Sequence, residues 1–174
     1  AEVFLVSGPA NLADPEGVIV KRVVSAREMF RTVLDKYEQV DIVIKAAAVA
    51  DYRPKQAVAE KIKKADGEMS LTLERNPDIL WELGQKKDHQ LLVGFAAETG
   101  NLIEFAREKM ERKNLDMIVA NNVSEEGSGF GGATNKVTIL NRYGDLKELP
   151  QMTKYDTAHA ILDQIRLLTD TNKP

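Results

Sequence analysis

Apolar residues gather in short runs rich in Val, Ile, Leu and Ala: EVFLVS (residues 2–7), VIVKRV (18–23), DIVIKAAAV (41–49), LLVGFAA (91–97) and LDMIVA (115–120). Runs of this length and β-branched content predict buried strands. Between them the apolar spacing changes to three and four. AREMFRTVLDKY (26–37) predicts a helix capped by Ser25, with Glu28 completing a capping box. PDILWELGQKK (77–87) predicts a second, capped by Asn76 with Pro77 in its first turn. A third runs from about residue 102 to 113, where Leu102, Phe105 and Ala106 form a stripe that the same steps extend to Lys109 and Lys113. KVTILN (136–141) and LKEL (146–149), joined through Arg142, Tyr143 and Gly144, predict a β-hairpin, and YDTAHAILDQIRLL (155–168) a closing helix. Strands alternating with helices predict an α/β fold, a doubly wound, Rossmann-like, mainly parallel sheet with a C-terminal β-hairpin.

Composition narrows the class. With 174 residues, 43% hydrophobic and 29% charged, the chain has the make-up of a single domain spanning 1–174. A net charge of -3 gives no global field for nucleic acid or an anionic membrane, so any anion site must come from local clusters of cations. No apolar run approaches the ~20 residues that span a bilayer, and residues 1–16 do not resemble a signal peptide, so a soluble, cytoplasmic protein is expected. The absence of cysteine rules out thiolate nucleophiles, and two separate histidines, His89 and His159, argue against a zinc site.

The candidate chemistry begins at AAAVADYRPKQAVAEKIKK, residues 46–64. In open α/β sheets ligands sit beyond the carboxyl ends of the strands, and the 41–49 run puts Ala50, Asp51 and Tyr52 at such an end. Small residues at 46–48 let a ligand approach the backbone, although alanines also serve close packing and Asp51 also suits a turn. Lys61, Lys63 and Lys64 form a cationic knot suited to phosphate, or a solvated face. Pro77 and Asp78 in NPDIL make an ordinary helix start that also presents free N–H groups. Phe95 in VGFAAET fits a core aromatic, and Lys109 and Lys113 fit snorkelling stems as well as phosphate ligands. GSGFGGATNK (127–136) precedes a strand and lacks the GK[ST] ending, which argues against a phosphate loop.

AAVADYRP, EKIKK, NPDIL, VGFAAET and KNLDMIVAN, in this order, resemble the phosphopantothenoylcysteine synthetase domain of bacterial bifunctional coenzyme A biosynthesis proteins, where it follows a flavin-dependent decarboxylase domain. The resemblance implies a phosphopantothenate-cysteine ligase. CTP, with Mg²⁺, activates the carboxylate of 4'-phosphopantothenate as an acyl-cytidylate with loss of pyrophosphate, and the amine of L-cysteine then displaces CMP. It implies a catalytic, triphosphate-contacting Lys61. It implies nucleotide binding by Lys45, Ala46, Ala47, Asp51, Pro77, Asp78, Ile79, Leu80, Phe95, Lys109 and Lys113. It also implies a homodimer, and FMN only in the fused decarboxylase domain. Family members begin with a strand and a glycine-rich turn that no stretch of this chain supplies, so an N-terminally incomplete domain of impaired activity is expected. Two other classes compete: an NAD(P)-dependent oxidoreductase, disfavoured by the lack of G-x-G-x-x-G after a strand, and a non-catalytic nucleotide-binding or assembly module.

Overall fold

The computed structural model describes residues 1–56, 60, 68–98, 100–122 and 132–171. The chain forms two compact units, one from Ala1–Glu38 and Ala47–Ile79, the other from Gln39–Ala46 and Leu80–Pro174.

In the first unit β1 (Phe4–Ser7) pairs in parallel with β2 (Ile19–Arg22), Phe4 opposite Ile19. Helix α1 (Ala26–Tyr37) follows β2 and buries Met29 and Tyr37. Its start matches the sequence expectation: Ser25 Oγ accepts from Glu28 N at 3.2 Å, and Glu28 Oε2 accepts from Val24 N at 2.7 Å and Ser25 N at 3.2 Å. These main-chain bonds, Val24 first, hold the Glu28 carboxyl below its ordinary range. A short antiparallel pair, β4 (Tyr52–Pro54) with β5 (Leu73–Arg75), completes the unit.

The second unit carries a five-stranded sheet in the order β10, β9, β7, β6, β3. Strands β3 (Ile42–Lys45), β6 (Leu91–Glu98) and β7 (Met117–Asn122) are parallel, while β9 (Val137–Asn141) and β10 (Leu146–Glu148) add the predicted hairpin in antiparallel sense. Small antiparallel strands β8 (Thr134–Asn135) and β11 (Met152–Thr153) pair separately. Asn141 organises the hairpin turn, its Oδ1 accepting from Tyr143 N and Asp145 N at 3.0 Å each, and Gly144 takes the positive φ of 91° the turn requires. Helices α2 (Ile79–Gln85), α3 (Leu102–Arg112) and α4 (Lys154–Thr171) complete the unit. One face of the sheet packs Val93, Met117, Val119, Val137 and Ile139 against Ile161, Ile165 and Leu168 of α4. This is the expected α/β fold, with a sheet parallel on one side and antiparallel on the other.

An ion cluster sits where the parallel strands begin. Asp116, 3% exposed, receives Leu92 N at 2.7 Å, Lys87 Nζ at 2.6 Å and Arg142 Nη1 at 2.6 Å. Lys87 also donates to Asn114 O at 3.2 Å. Buried charge is tolerated here because every partner of the carboxylate is a donor.

Candidate functional site

Strand β3 stops at Lys45, short of the predicted 41–49 run, and the alanines that follow lie outside any regular element until β4 begins at Tyr52. Alanine gives a strand little to pack, and Ala46, Ala47 and Ala48 are exposed. In the first unit the 47–51 segment is held from one side. Asn76 N donates to Asp51 O at 2.8 Å and Asn76 Nδ2 to Ala50 O at 2.8 Å. Asn76 Oδ1 in turn accepts from Arg53 Nη1 at 2.6 Å, and the same guanidinium reaches Arg75 O at 3.0 Å and Glu74 Oε1 at 2.7 Å. Arg27 of α1 adds a longer contact to Glu74 at 3.4 Å. The expected capping role of Asn76 is therefore replaced. Its side chain is spent on the alanine segment and Arg53, and α2 begins only at Ile79. With seven residues, α2 is also too short to build a strong N-terminal anion site.

Around this segment lies a cavity of about 600 Å³, walled by Ser7 and Gly8 at the end of β1, by the first turn of α1, by Ala47, Ala48 and Ala50, and by Arg53 and Asn76. It is mostly apolar. Asp51 is exposed, and beside it Arg75 Nε donates to Tyr52 Oη at 3.3 Å with its guanidinium 5.8 Å from the Tyr52 ring centroid. That hydrogen bond, first among the causes, raises the Arg75 pKa. Of the sequence-predicted residues, this unit holds Ala47, Asp51, Pro77, Asp78 and Ile79. Asp78 is exposed and Ile79 is buried, so Ile79 has only main chain to offer a ligand.

The second unit holds Lys45, Ala46, Leu80, Phe95, Lys109 and Lys113. Lys45 ends β3 opposite Gly94, and Gly94 lies opposite Ile118, so Lys45 and Phe95 belong to neighbouring rows of the sheet. Leu80 is buried, and a Cβ on Gly94 would stand 2.7 Å from Leu115 Cδ1 and 3.1 Å from Leu80 Cδ1, so Gly94 is what lets these leucines close over β6. Phe95, half-buried, packs against the sheet core. On α3 the buried positions are Ala106 and Met110, with Lys109 and Lys113 half-buried beside them; Phe105, expected to face inward, is 44% exposed. Because α3 returns from the end of β6 to the start of β7, its last turn lies where the parallel strands begin. Eleven residues of helix span ~16 Å, so Lys113 is about a helix length from the end of β6, while Phe95 lies in the middle of that strand.

Lys61, with Lys63 and Lys64, lies outside the described residues, as do residues 127–131 of the glycine-rich stretch. Among the described residues no three His, Asp or Glu side chains converge as a metal cage, and no helix is long and apolar enough to cross a membrane. Sequence reasoning missed the Arg53, Glu74 and Asn76 network. Its one local signal was an Arg-Pro placed directly after Asp51 and Tyr52.

The family described as DNA/pantothenate metabolism flavoprotein C-terminal domain matches residues 1–168. The coenzyme A biosynthesis bifunctional protein CoaBC of Bacillus subtilis (strain 168) is 51% identical over 170 residues, covering 97% of this chain and 42% of that protein. The protein of the same name from Borreliella burgdorferi is 42% identical over 165 residues, 93% of this chain and 41% of that protein. The crystal structure of the C-terminal domain of CoaBC superposes with a TM-score of 0.83 at 43% identity, covering 98% of this chain and 76% of that chain. The chain thus spans less than half the length of these curated relatives. The resemblance carried by the five motifs holds along nearly the whole chain. It belongs to the DNA/pantothenate metabolism flavoprotein C-terminal domain family.

Proposed function

We propose that the chain acts as one nucleotide-binding domain of a phosphopantothenate-cysteine ligase in coenzyme A biosynthesis. The observation that carries this reading is the 51% identity to the Bacillus subtilis CoaBC protein over 97% of the chain. In this reading CTP reacts with the carboxylate of 4'-phosphopantothenate. A carboxylate oxygen attacks the α-phosphorus, pyrophosphate leaves, and the acyl-cytidylate so formed is opened by the amine of L-cysteine, giving the amide and CMP.

Residue chemistry supports it. Lys45, Ala46 and Ala47 offer main chain where β3 ends, with small side chains at the two alanines, and cytosine presents donors and acceptors that backbone groups and the Asp51 carboxylate can match. Pro77, Asp78, Ile79 and Leu80 contribute through main chain or, for Asp78, an exposed carboxylate. Phe95 is assigned to border the nucleotide. Lys61 is assigned to the triphosphate and to the acyl-cytidylate step, and Lys109 and Lys113 to phosphate from α3. Bringing a carboxylate against a triphosphate requires cations, and preorganised ones are worth most as the leaving charge develops. Mg²⁺ enters as the counter-ion of the nucleotide phosphates. The protein works in the cytoplasm as a homodimer, with an FMN-dependent decarboxylase domain in the same parent polypeptide.

Titration calorimetry tests the reading. CTP binding that Lys61→Ala weakens about tenfold or more is expected from loss of a phosphate cation worth on the order of 4 kcal/mol before desolvation. NADPH binding in place of CTP, or a CTP affinity indifferent to Lys61, overturns it. Turnover is followed as pyrophosphate release and CMP formation with all three substrates present.

A further inference from the structure

The 47–51 segment lies in no regular element. Yet two consecutive carbonyls, Ala50 O and Asp51 O, are both captured by Asn76, one through its side-chain amide and one through its main-chain N–H, each at 2.8 Å. Fixing both carbonyls fixes the peptide between them, and with it the direction in which Asp51 leaves the chain. The amide orientation of Asn76 is itself determined. Arg53 Nη1 donates to its Oδ1 at 2.6 Å, so the NH₂ end must face Ala50, and Glu74 holds Arg53 by Nη2 at 2.7 Å.

We infer that Asn76, oriented by Arg53, is a positioning residue that sets the nucleotide-binding geometry of Asp51 without being required to touch the nucleotide. The inference rests on the nucleotide reading of that residue given above.

Asn76→Asp isolates the role. The replacement keeps the shape and an acceptor for Arg53, but turns the donor facing Ala50 O into a carboxylate oxygen, so attraction becomes repulsion. Losing one such bond and leaving its partner misdirected is worth about tenfold in an equilibrium constant. CTP Kd, and KM for CTP in the full parent protein, should rise about tenfold with kcat within about twofold. The amide of residue 76, which donates to Asp51 O, should exchange with solvent faster. Arg53→Gln, which loosens the orientation of Asn76 but leaves its donor, should shift CTP affinity in the same direction by less. A merely structural role would lower Tm and the active fraction together while KM and Kd stay fixed. An unchanged CTP affinity in Asn76→Asp therefore overturns the inference. If the unsubstituted protein binds no CTP, the nucleotide reading has failed, and exchange at residue 76 decides whether the clamp exists. Faster exchange in Asn76→Asp at unchanged Tm upholds it, and unaltered exchange removes it.

Discussion

Substituting Gly84 sets two effects of opposite sign against each other. Gly84 lies inside α2, where alanine would ordinarily stabilise a helix by up to about 1 kcal/mol. Here a Cβ would stand 2.1 Å from the carbonyl oxygen of Lys113 and 2.9 Å from its carbonyl carbon. Carbon and carbonyl oxygen approach comfortably only to about 3.3 Å, so the main chain at the end of α3 must retreat by about 1 Å. That retreat strains the bond from Asn114 Nδ2 to Gly84 O, 3.1 Å long, and the Lys87 contact to Asn114 O. Overpacking of this kind costs about 1–3 kcal/mol and a weakened hydrogen bond adds about 1 kcal/mol, so after the helix gain Gly84→Ala should lose about 2 kcal/mol. For a chain of this size that is a fall in Tm of roughly 4–8 °C. Urea and thermal unfolding measure it. Gly94→Ala provides the contrast, because the atoms it meets are the side-chain ends Leu115 Cδ1 and Leu80 Cδ1. Leu115→Val should restore part of the loss in Gly94→Ala, whereas no side-chain truncation relieves Gly84→Ala, whose obstacle is main chain. A Gly84→Ala protein as stable as the parent, or more so, refutes the close approach and the argument with it.

Asp116→Asn should destabilise by about 3–5 kcal/mol in denaturant titration, because Lys87, 8% exposed, loses the carboxylate that accompanies it into the interior. Adding Lys87→Met should recover most of that loss, and a double variant no better than Asp116→Asn would show that charge burial is not the cause. The Glu28 carboxyl titrates below its unfolded value of about 4.3, so its stabilising contribution is fully present above that pH and disappears as pH falls through the lower folded value. Glu28→Gln should therefore be less stable than the parent at pH 7 and equal to it in strong acid; a gap that persists in acid would count against the capping box as its origin.

Where the controlling forces were local, the sequence was legible. Ser25 and Glu28 mark the start of α1, and its bounds are those expected; the turn between β9 and β10 is likewise settled by Asn141 and Gly144 acting on their immediate neighbours. β6 and β7 were visible as apolar runs because both faces of that part of the sheet are buried, whereas β3 carries the same apolar residues with Ile42 and Ile44 exposed. Less legible was anything fixed by a distant partner. Asn76 has the form of a helix cap, but Arg53 and Ala50 claim its side chain, so α2 starts later than Pro77 suggested. The β4 and β5 strands are three residues each and far apart in sequence, too short to show a period of two. The role of Asp116 has no local signal, since Lys87 and Arg142 come from elsewhere in the chain. The candidate site was legible as segments, the alanines and Asp51. Its supporting contacts were not.

The capping box of α1 has an implication for how anions are handled near the cavity it lines. The helix start there exposes main-chain donors, but Val24 N and Ser25 N are already served by Glu28 Oε2, and Glu28 N by Ser25 Oγ. A dissolved phosphate seeking those donors competes with a carboxylate tethered by a few covalent bonds, whose effective concentration is at least on the order of millimolar. At micromolar levels the free ion loses that contest. The cap therefore withholds these three donors from stray inorganic phosphate or pyrophosphate at this end of the cavity.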